Sequence, residues 1–506
     1  MKIYDLTKEQ KAIIEDPSSI IVSASAGTGK TFVITKKIEY ETQMDHKFQK
    51  IAAITFTNKA ADEIHNRLKR NEDGHFIGTI HNFVLYEIIN PFFKDLYDFN
   101  YDGELSYSTS LKFNTIEEGI ERIKFGEVGN YYNKKKSFIF DLGLKIISTS
   151  KACQLFLKSK YYKIFIDEYQ DCDISMHKFF LYILKILNIP LVIVGDEKQS
   201  IYSWRGANPQ LFESLFSFTC FNKYQLTVNF RSNTSIQNYA NLIFGYKVNP
   251  YKNTDENNVL FIVTDKSNNA ILDMLCYLEK NASLAILSRS NDNVKFIGRF
   301  LNNHGIKCAI IQKSPIETIQ NKDSHIYVLI AKYLIIQSYS EYDFAKEIDL
   351  ENRYSEISIE ELKRYLEKLV KVGNQSRKES VSSILNLFKL NLNEELYMML
   401  ENTINNDIFH YGFNIDQYQN VVMTIHAAKG VEFDQVILFA DDFDFDSPEN
   451  RELHYVASTR AKSKLIIIAY NDWNSNKFWT YLKSRAEIEG VELDKIIKRV
   501  NLNLKR

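Results

Sequence analysis

Short apolar runs, each followed directly by polar residues, recur along the first part of the chain. They lie at residues 19–22, 50–56, 162–166 and 190–194. Runs of this length are typical of buried strands, and helical patterns such as residues 7–16 alternate with them. Strands that alternate with helices predict a doubly wound α/β domain, in which ligands bind at the carboxyl ends of the strands.

The same alternation returns after residue 226, with strand-like runs at 259–263, 283–287, 421–425, 435–439 and 465–469. Two stretches lack this alternation and are interpreted as helical insertions. The predicted fold is therefore α/β, with two parallel-sheet domains that each carry an insertion. The predicted segments are 1–83 with 151–225 for the first domain, 84–150 for its insertion, 226–311 with 413–506 for the second domain, and 312–412 for a reduced second insertion.

A glycine-rich string follows the first apolar run and precedes a helical pattern. Gly27 and Gly29 would let the backbone curl so that several amides point inward, and the helix N-terminus would add positive charge. Lys30 would then reach the β- and γ-phosphates of a nucleotide, and Thr31 would bind Mg²⁺. Ala24 stands where the usual phosphate-loop pattern has glycine. The alternative interpretation is a flexible glycine turn before a helix.

Two carboxylates, Asp167 and Glu168, follow the apolar run at 162–166. Carboxylates at the mouth of a buried strand are costly to desolvate unless a positive group accompanies them. Mg²⁺ with a nucleotide would satisfy both these carboxylates and the glycine loop. Because the charge of a metal keeps the first carboxylate ionised, one can bind metal while the other activates water.

Composition excludes several other classes of protein. The chain has 506 residues, 45% of them hydrophobic and 25% charged, so large cores are expected and global disorder is not. The formal net charge is −1, so a nucleic-acid partner would need a local basic groove. Five scattered cysteines without CxxC spacing indicate a reducing compartment and no zinc or iron–sulfur site. The residues indicate no signal peptide, membrane span or membrane partner, which predicts a cytoplasmic protein.

Ordered motifs from about residue 6 to residue 462 resemble those of the superfamily 1 DNA helicases of the UvrD/Rep/PcrA and AddA/RecB group. These include the strings at 23–31, 164–171, 194–207, 229–232, 424–433 and 455–462. The resemblance implies two RecA-like domains with ATP and Mg²⁺ between them. It also implies single-stranded DNA, or a single-strand/duplex junction, as the partner, with movement 3′ to 5′.

The resemblance assigns roles in ATP hydrolysis residue by residue. Asp167 would hold Mg²⁺ together with Thr31, and Glu168 would activate the attacking water. Gln170 would couple this site to the second domain, and Gln199 would sense the γ-phosphate. The resemblance further places the following residues around the nucleotide: Gln10 at the adenine edge, Ala26, Gly27, Thr28, Gly29 and Lys30 at the phosphates, Phe230 on the adenine face, Glu432 at the ribose, and Arg231 and Arg460 as arginine fingers.

The same resemblance assigns a set of residues to DNA. Phe56, Tyr202 and Trp204 would face bases, and Arg205 would support that surface. Stacking of a base on an aromatic ring contributes roughly 1–3 kcal/mol. The full set of predicted DNA-binding residues is Phe56, Thr57, Asn58, Thr79, His81, Tyr202, Trp204, Arg205 and His426.

Five of these residues have ordinary structural alternatives. A helical glutamine such as Gln10 is often merely solvated, and Tyr202 and Trp204 could be packed in a core. Arg231 could form a surface salt bridge of little energetic value. A single loop histidine such as His426 is often structural. One departure is also visible, because Phe230 stands where the family has tyrosine; the ring face is retained but a hydroxyl contact is lost.

Both insertions are short compared with those of the larger relatives, where they contact duplex DNA. The compact form resembles the helicase-like subunit of the Gabija antiviral system, which works beside a nuclease partner. The leading interpretation is an ATP-dependent helicase or translocase. The alternatives are an ATP-gated sensor of DNA ends within a defence complex, with little unwinding of its own, and a scaffold whose chemistry is lost.

Overall fold

The computed structural model divides the chain into two compact units. Unit 1 comprises Met1–Leu278 and Gly430–Arg506, and unit 2 comprises Glu279–Lys429. The structure describes residues 6–44, 48–56, 61, 64, 74–97, 105–246, 250–264, 270–318, 323–348, 350, 354, 356–371, 374–470 and 473–502. The domain boundaries predicted from the sequence remain a prediction.

The described residues form fifteen strands, which we number in chain order. They are β1 Ile20–Ala24, β2 Lys50–Thr55, β3 Phe76–Thr79, β4 Ser106–Phe113, β5 Glu127–Tyr131, β6 Tyr161–Ile166, β7 Leu191–Gly195, β8 Asn222–Leu226, β9 Val259–Thr264, β10 Leu284–Ser288, β11 Ala309–Ile311, β12 Asn420–Thr424, β13 Phe433–Phe439, β14 Ala461–Tyr470 and β15 Lys498–Asn501.

Six parallel strands form the first sheet of unit 1, in the order β3-β2-β6-β7-β1-β8. Ile20 lies beside Val192 and Ile164 lies beside Leu191, so the three central strands are in close register. The segments that follow β6, β7 and β1 therefore emerge side by side at one edge of the sheet. This edge brings together most of the polar strings found in the sequence.

Both faces of this sheet are covered by helices. Ile21 of β1 belongs to one apolar cluster, while Ile20 and Val22 belong to another. Alternate residues of a strand point to opposite faces, so the near-continuous apolar composition of β1 reflects burial on both sides. Helices Lys8–Glu15 and Lys30–Thr42 contribute to one cluster, whereas helices Phe138–Thr149 and Ile174–Lys185 contribute to the other.

The remaining strands are also mostly parallel. In unit 1, β13, β14, β9 and β15 pair in that order, and in unit 2, β11, β12 and β10 pair in that order. The predicted α/β class with doubly wound parallel sheets is confirmed. Within the described residues, no helix combines the length and the apolar character needed to cross a bilayer.

The other helices of unit 1 are mostly short. They are α-helices Ile80–Val84, Asn90–Phe92, Ile116–Ile123, Lys151–Lys160, Pro209–Leu215, Thr234–Phe244, Ala270–Met274, Pro448–Ser458 and Trp473–Glu489, the π-helix Leu85–Ile89, and 3₁₀ turns Phe93–Asp95, Tyr169–Asp171, Glu197–Gln199, Ser203–Arg205, Leu275–Tyr277, Ala440–Asp442 and Leu493–Lys495. The stretch 84–150 also contains the paired strands β4 and β5, which the sequence pattern did not indicate.

Unit 2 is largely helical between β11 and β12, as the loss of alternation at 312–412 predicted. Its helices are Asn291–Asn303, Pro315–Thr318, Ser324–Ile335, Glu341–Glu347, Ile359–Lys371, Asn374–Leu387, Glu394–Ile404 and the 3₁₀ segment Asp407–Gln417. Buried leucines such as Leu362, Leu366 and Leu369 recur on one side of their helix and form its core.

Candidate functional site

The glycine loop after β1 has a fixed shape. Gly27 and Gly29 have φ values of 76° and 84°, which glycine adopts without steric cost. A Cβ atom on Gly27 would lie 2.5 Å from Oδ1 of Asn229. The Asn229 amide donates to the carbonyl of Ala26 at 2.9 Å, and the Thr28 hydroxyl donates to the carbonyl of Ser25 at 2.8 Å. These contacts oppose the alternative of a freely flexible turn.

Lys30 opens the helix that follows this loop. Its ammonium group donates to the carbonyl of Ala24 at 3.3 Å and lies 3.9 Å from Oδ2 of Asp196. Asp196 follows β7 and is 1% exposed. Thr31 is half-buried in the first turn of the same helix, one residue from Lys30. In phosphate loops a nucleotide phosphate lies beside this lysine. Here the Lys30 ammonium, after β1, and the Asp196 carboxylate, after β7, both lie near that position.

The acidic string after β6 is joined to the same edge. Asp167 is 2% exposed, and its carboxylate accepts from the Glu168 amide at 2.9 Å. Glu168 has φ +56°, a left-handed conformation that is uncommon for residues other than glycine. Gln170 donates to the Glu168 carboxylate and accepts from the Asp196 amide at 3.0 Å. Gln170 therefore connects the ends of β6 and β7.

Asp196, Lys198 and Gln199 extend this network beyond β7. The Gln199 amide donates to Oδ2 of Asp196 at 2.6 Å, and the buried Lys198 ammonium donates to the Ser25 hydroxyl at 2.8 Å. Burial alone would lower the pKa of Lys198, but Tyr455, Asp196 and Glu197 outweigh it and raise that pKa. Lys198 is thus a buried cation at the glycine loop. The sequence analysis gave Asp196 and Lys198 no role.

Arg460 reaches this network from the end of helix Pro448–Ser458. Its Nη2 donates to Oε1 of Gln199 at 3.4 Å, and its Nε donates to the carbonyl of Val456 at 3.0 Å. Burial, with a smaller contribution from Arg231, lowers the pKa of Arg460 to about 9, while Glu168 opposes that shift. Since about 9 is above neutral pH, the guanidinium stays charged at pH 7.

Arg231 lies beside the glycine loop. A Cβ atom on Gly27 would be 2.8 Å from Cβ of Arg231. Its Nε forms a 2.6 Å ion pair with Glu432, which Lys462 also contacts at 3.1 Å. Burial would raise the pKa of Glu432, but Arg231 and Lys462 outweigh it and lower that pKa. The alternative interpretation of Arg231 was a surface salt bridge. Arg231 does form a partly exposed salt bridge, and it also lies next to the glycine loop.

Gln10 and Phe230 occupy contrasting positions. Gln10 is 4% exposed and forms a capping box with Thr7, so it is not merely solvated. A Cβ atom on Gly29 would lie 3.6 Å from its Nε2. Phe230 is 59% exposed, and its amide donates to the carbonyl of Gly27 at 2.9 Å. An exposed ring attached to the glycine loop is available for stacking on a planar ligand.

Tyr455 is a site residue that the sequence analysis missed. Its hydroxyl accepts from the Ala26 amide at 3.3 Å, and its ring lies 5.2 Å from the Lys198 ammonium. The side chain is 2% exposed. Tyr455 begins the motif string at 455–462, but a tyrosine in an amphipathic helix has the pattern of a core residue, so the sequence analysis gave it no role.

The predicted DNA-binding aromatic residues after Gln199 lie in an open loop. Trp204 is 43% exposed, which excludes full core packing for it. The Arg205 guanidinium lies 4.4 Å from the Trp204 ring and 5.5 Å from the Tyr202 ring. The two rings meet edge to face with centroids 6.5 Å apart. A cation over exposed rings matches the chemistry of a base-stacking surface.

The other predicted DNA residues are more buried or lie elsewhere. Thr79 is 4% exposed, and its hydroxyl caps helix Ile80–Val84 by accepting from Asn82 at 3.3 Å. Phe56 is partly buried against the core. Burial, with help from Arg205, lowers the pKa of His81 to about 4, so His81 is neutral at pH 7. His426 belongs to unit 2, and Thr57 and Asn58 lie outside the described residues.

Two families match parts of the chain. Residues 9–205 match the family described as AAA domain, and residues 420–468 match the family described as UvrD-like helicase C-terminal domain. The first match contains the glycine loop, the acidic string and the aromatic loop. The second contains Glu432 and Arg460.

Comparison with curated proteins points to the same group. The chain is 38% identical over 490 residues to Gabija protein GajB of Bacillus cereus strain VD045, a match that covers 94% of this chain and 98% of that protein. It is 24% identical to DNA helicase II of Rickettsia typhi, with 92% of each chain covered. It is 22% identical to the ATP-dependent DNA helicase PcrA of Staphylococcus aureus, with 91% and 82% covered. The chain therefore belongs to the family of Gabija protein GajB, among the UvrD/Rep/PcrA-type superfamily 1 helicases.

Proposed function

We propose that the chain is an ATP-dependent translocase or helicase that moves 3′ to 5′ along single-stranded DNA. One observation carries the proposal: the guanidinium of Arg460 lies 3.4 Å from Gln199, whose amide holds Asp196, which lies 3.9 Å from Lys30. A continuous polar path therefore joins the glycine loop to an arginine from the C-terminal part of the chain. Phosphoryl transfer uses this combination of loop lysine and arginine finger.

The residues present fit a nucleoside triphosphate with Mg²⁺. Gly27 and Gly29 add no side chains of their own to the loop, and a helix N-terminus follows at Lys30. The hydroxyl of Thr31 and the carboxylate of Asp167 are oxygen donors, which Mg²⁺ prefers. When bound there, Mg²⁺ would neutralise charge that develops on the phosphate oxygens.

In this proposal Glu168 is the general base. Gln170 donates to its carboxylate, and the charge of Glu168 raises the pKa of Arg460 against the effect of burial. Glu168 would orient water and accept its proton, while Arg231 and Arg460 would stabilise negative charge on the departing phosphate. Phe230 would stack on the adenine ring and Glu432 would hold the ribose once Arg231 turned toward phosphate.

Hydrolysis would be coupled to DNA through the segment that carries Gln199. Gln199 contacts Asp196 and Arg460, and Trp204 lies only five residues further along the same segment. A movement of Gln199 in response to the nucleotide phosphate would therefore be transmitted to the aromatic loop through a short piece of backbone. Repeated cycles would shift the grip of Trp204 and Tyr202 on successive bases.

We expect Lys30→Ala and Glu168→Gln to abolish DNA-stimulated ATPase activity. Loss of a general base alone lowers the rate by about 10²–10⁴-fold. Phosphate release should be measured with and without oligo-dT. Lys36→Ala is a matched control, because Lys36 lies on the same helix as Lys30 and pairs only with the surface residue Glu39 in the described structure. Activity that persists in both variants would overturn the site assignment.

A second function is favoured by one specific observation. The match to Gabija protein GajB covers 94% of this chain, while the insertion at 312–412 is short. We propose as the alternative that the chain is an ATP-gated sensor of DNA ends within a complex that contains a nuclease. In that case ATP would be bound and hydrolysed without productive unwinding by the isolated chain.

A further inference from the structure

Three consecutive lysines form an exposed turn in unit 1. Lys134, Lys135 and Lys136 lie between β5 and helix Phe138–Thr149, and all three are exposed. Asn133 fixes the turn, because its side chain accepts from the Lys135 amide at 3.0 Å and its carbonyl accepts from the Lys136 amide at 3.0 Å. We call residues 133–136 the lysine turn. Its backbone is ordered by local hydrogen bonds, so its ammonium groups project from a defined place.

The lysine turn packs directly against the aromatic loop. Gly206, which follows Arg205, has φ +95°, and a Cβ atom there would lie 2.5 Å from the carbonyl oxygen of Lys135. The same Cβ would lie 3.0 Å from Cα of Lys135. Only glycine permits so close an approach of two backbones. The lysine turn and the loop that carries Trp204 are therefore adjacent parts of one surface.

Both parts of this surface combine an exposed aromatic ring with cationic side chains. Arg205 lies over the exposed Trp204 ring, and Tyr132, 63% exposed, precedes the lysine turn. In the part of the chain that the structure describes, the three lysines form no ion pair with a carboxylate. Exposed rings interleaved with cations are the composition of surfaces that bind single-stranded nucleic acid. The net charge of −1 means that attraction to phosphates must come from such local clusters.

We propose that the lysine turn binds the phosphate backbone of the same DNA strand whose bases stack on Trp204. The inference rests on the proposed function and extends its DNA track from the aromatic loop onto the insertion at 84–150. The track would have a stacking part, formed by Trp204 and Tyr202, and an electrostatic part, formed by Lys134, Lys135 and Lys136. The electrostatic part would hold the strand while the stacking part changes its grip.

The test is the salt dependence of oligo-dT binding by the full chain, measured by fluorescence anisotropy. The variant Lys134→Ala/Lys135→Ala/Lys136→Ala should reduce the slope of log K against log salt by about 2, since each lost single-strand phosphate contact removes about 0.7. The variant Lys134→Arg/Lys135→Arg/Lys136→Arg should keep the wild-type slope, because arginine retains the charge. ATPase activity without DNA should be unchanged in both variants.

A matched control removes the same charge elsewhere. Lys151, Lys178 and Lys223 are exposed lysines of unit 1 on helices Lys151–Lys160 and Ile174–Lys185 and on β8. Their triple alanine variant should bind oligo-dT with the wild-type slope. If the lysine-turn variant matches this control while Trp204→Ala weakens binding, the inference is wrong and the proposed DNA surface stands.

Two other outcomes also decide the question. If Trp204→Ala and the lysine-turn variant both bind oligo-dT like wild type, the proposed DNA surface itself is wrong. If the lysine-turn variant keeps DNA binding but loses association with an acidic partner protein, the turn is a protein-docking surface and the inference is overturned. Because the side chains of Lys134, Lys135 and Lys136 are exposed, circular dichroism melting should show an unchanged fold in the lysine-turn variants.

Discussion

At the scale of single residues, Tyr455 makes the most consequential contact that local sequence did not reveal. Its hydroxyl accepts the amide of Ala26 within the glycine loop, and it is 2% exposed. Loop amides of this kind bind phosphate oxygens in phosphate loops. The contact therefore fixes the orientation of the loop from the helix that ends near Arg460.

We expect Tyr455→Phe to raise the KM for ATP by about five- to tenfold while kcat changes less than about threefold. The reason is that the Ala26 amide loses its buried acceptor, which costs about 1–3 kcal/mol, and the loop becomes less well oriented. Steady-state ATPase kinetics at saturating DNA would measure both parameters.

A matched control separates this effect from a general loss of stability. Tyr239 is also a fully buried tyrosine, and its hydroxyl bonds His454 at 2.7 Å. Tyr239→Phe should lower the melting temperature without moving KM. If Tyr455→Phe behaves in the same way, with an unchanged KM, the hydroxyl does not orient the loop.

Local pattern alone predicts residues whose neighbours in the site are also neighbours in the chain, whereas distant ones such as Arg231 and Arg460 were predicted only through the resemblance to a family. Gly27, Gly29 and Lys30 form one string, and Asp167 with Glu168 forms another. Tyr455 could not be found in this way, because its partner Ala26 is 429 residues away. Asn229 holds Ala26 across 203 residues, and only the folded chain brings such pairs together.

At the scale of secondary-structure elements, a buried ion triad joins the glycine-loop helix to its neighbours. Glu41 lies on helix Lys30–Thr42 and pairs with Lys37 at 3.0 Å and with Lys163 of β6. Lys37 also donates to the carbonyl of Ile14 at 3.2 Å, in the helix that carries Gln10. The triad thus fixes the positions of three elements that surround the nucleotide site.

Replacing Glu41 with Gln should destabilise unit 1 by about 3–5 kcal/mol, because two buried ammonium groups lose their common partner. Thermal melting at pH 7 would detect the loss. Glu39→Gln is the control, because Glu39 lies on the same helix in a partly exposed pair with Lys36 and should change stability by less than about 0.5 kcal/mol.

The loss caused by Glu41→Gln should shrink as the pH rises. Burial lowers the pKa of Lys37 below its ordinary value, although Glu41 opposes that shift in the wild-type protein. Without Glu41, the pKa of Lys37 in the folded state lies still further below its value in the unfolded state. Between these two pKa values the unfolded state binds more protons, so the stability of the variant rises with pH across that window. A loss that is constant from pH 7 to pH 10 would contradict the role of the triad.

The elements that the sequence missed are mostly short polar strands. β8 contains Asn222, Lys223 and Gln225, and β15 begins with Lys498 and Arg499. These strands lie at the edges of their sheets, where only one neighbour pairs with them. Edge strands need less apolar surface than central ones, so hydrophobic runs detect β1, β6 and β7 and not these.

At the scale of the whole molecule, the proposed helicase and the proposed DNA-end sensor differ in what the isolated chain does to duplex DNA. Both would share the site around Lys30 and Arg460, so ATPase measurements alone do not separate them. The match to Gabija protein GajB, which covers 94% of this chain, makes a partner protein relevant to this question.

We expect the isolated chain to displace the strand of a duplex with a 3′ single-stranded tail and not one with a 5′ tail. A single-stranded tail is needed because the motor must first hold a single strand, in our proposals through Trp204 and the lysine turn, before hydrolysis moves it. The preference for a 3′ tail follows from the proposed direction of movement. Strand displacement should be followed by a fluorophore–quencher pair, with Glu168→Gln as the control that binds DNA without turnover.

The same assay with the complex purified from cells that express the neighbouring genes completes the comparison. Displacement by the complex but not by the isolated chain, with DNA-stimulated ATPase present in both, would contradict the autonomous helicase and support the end sensor. A partner that raises displacement only on 3′-tailed substrates would instead strengthen an existing motor, because polarity arises from how the chain itself grips one strand.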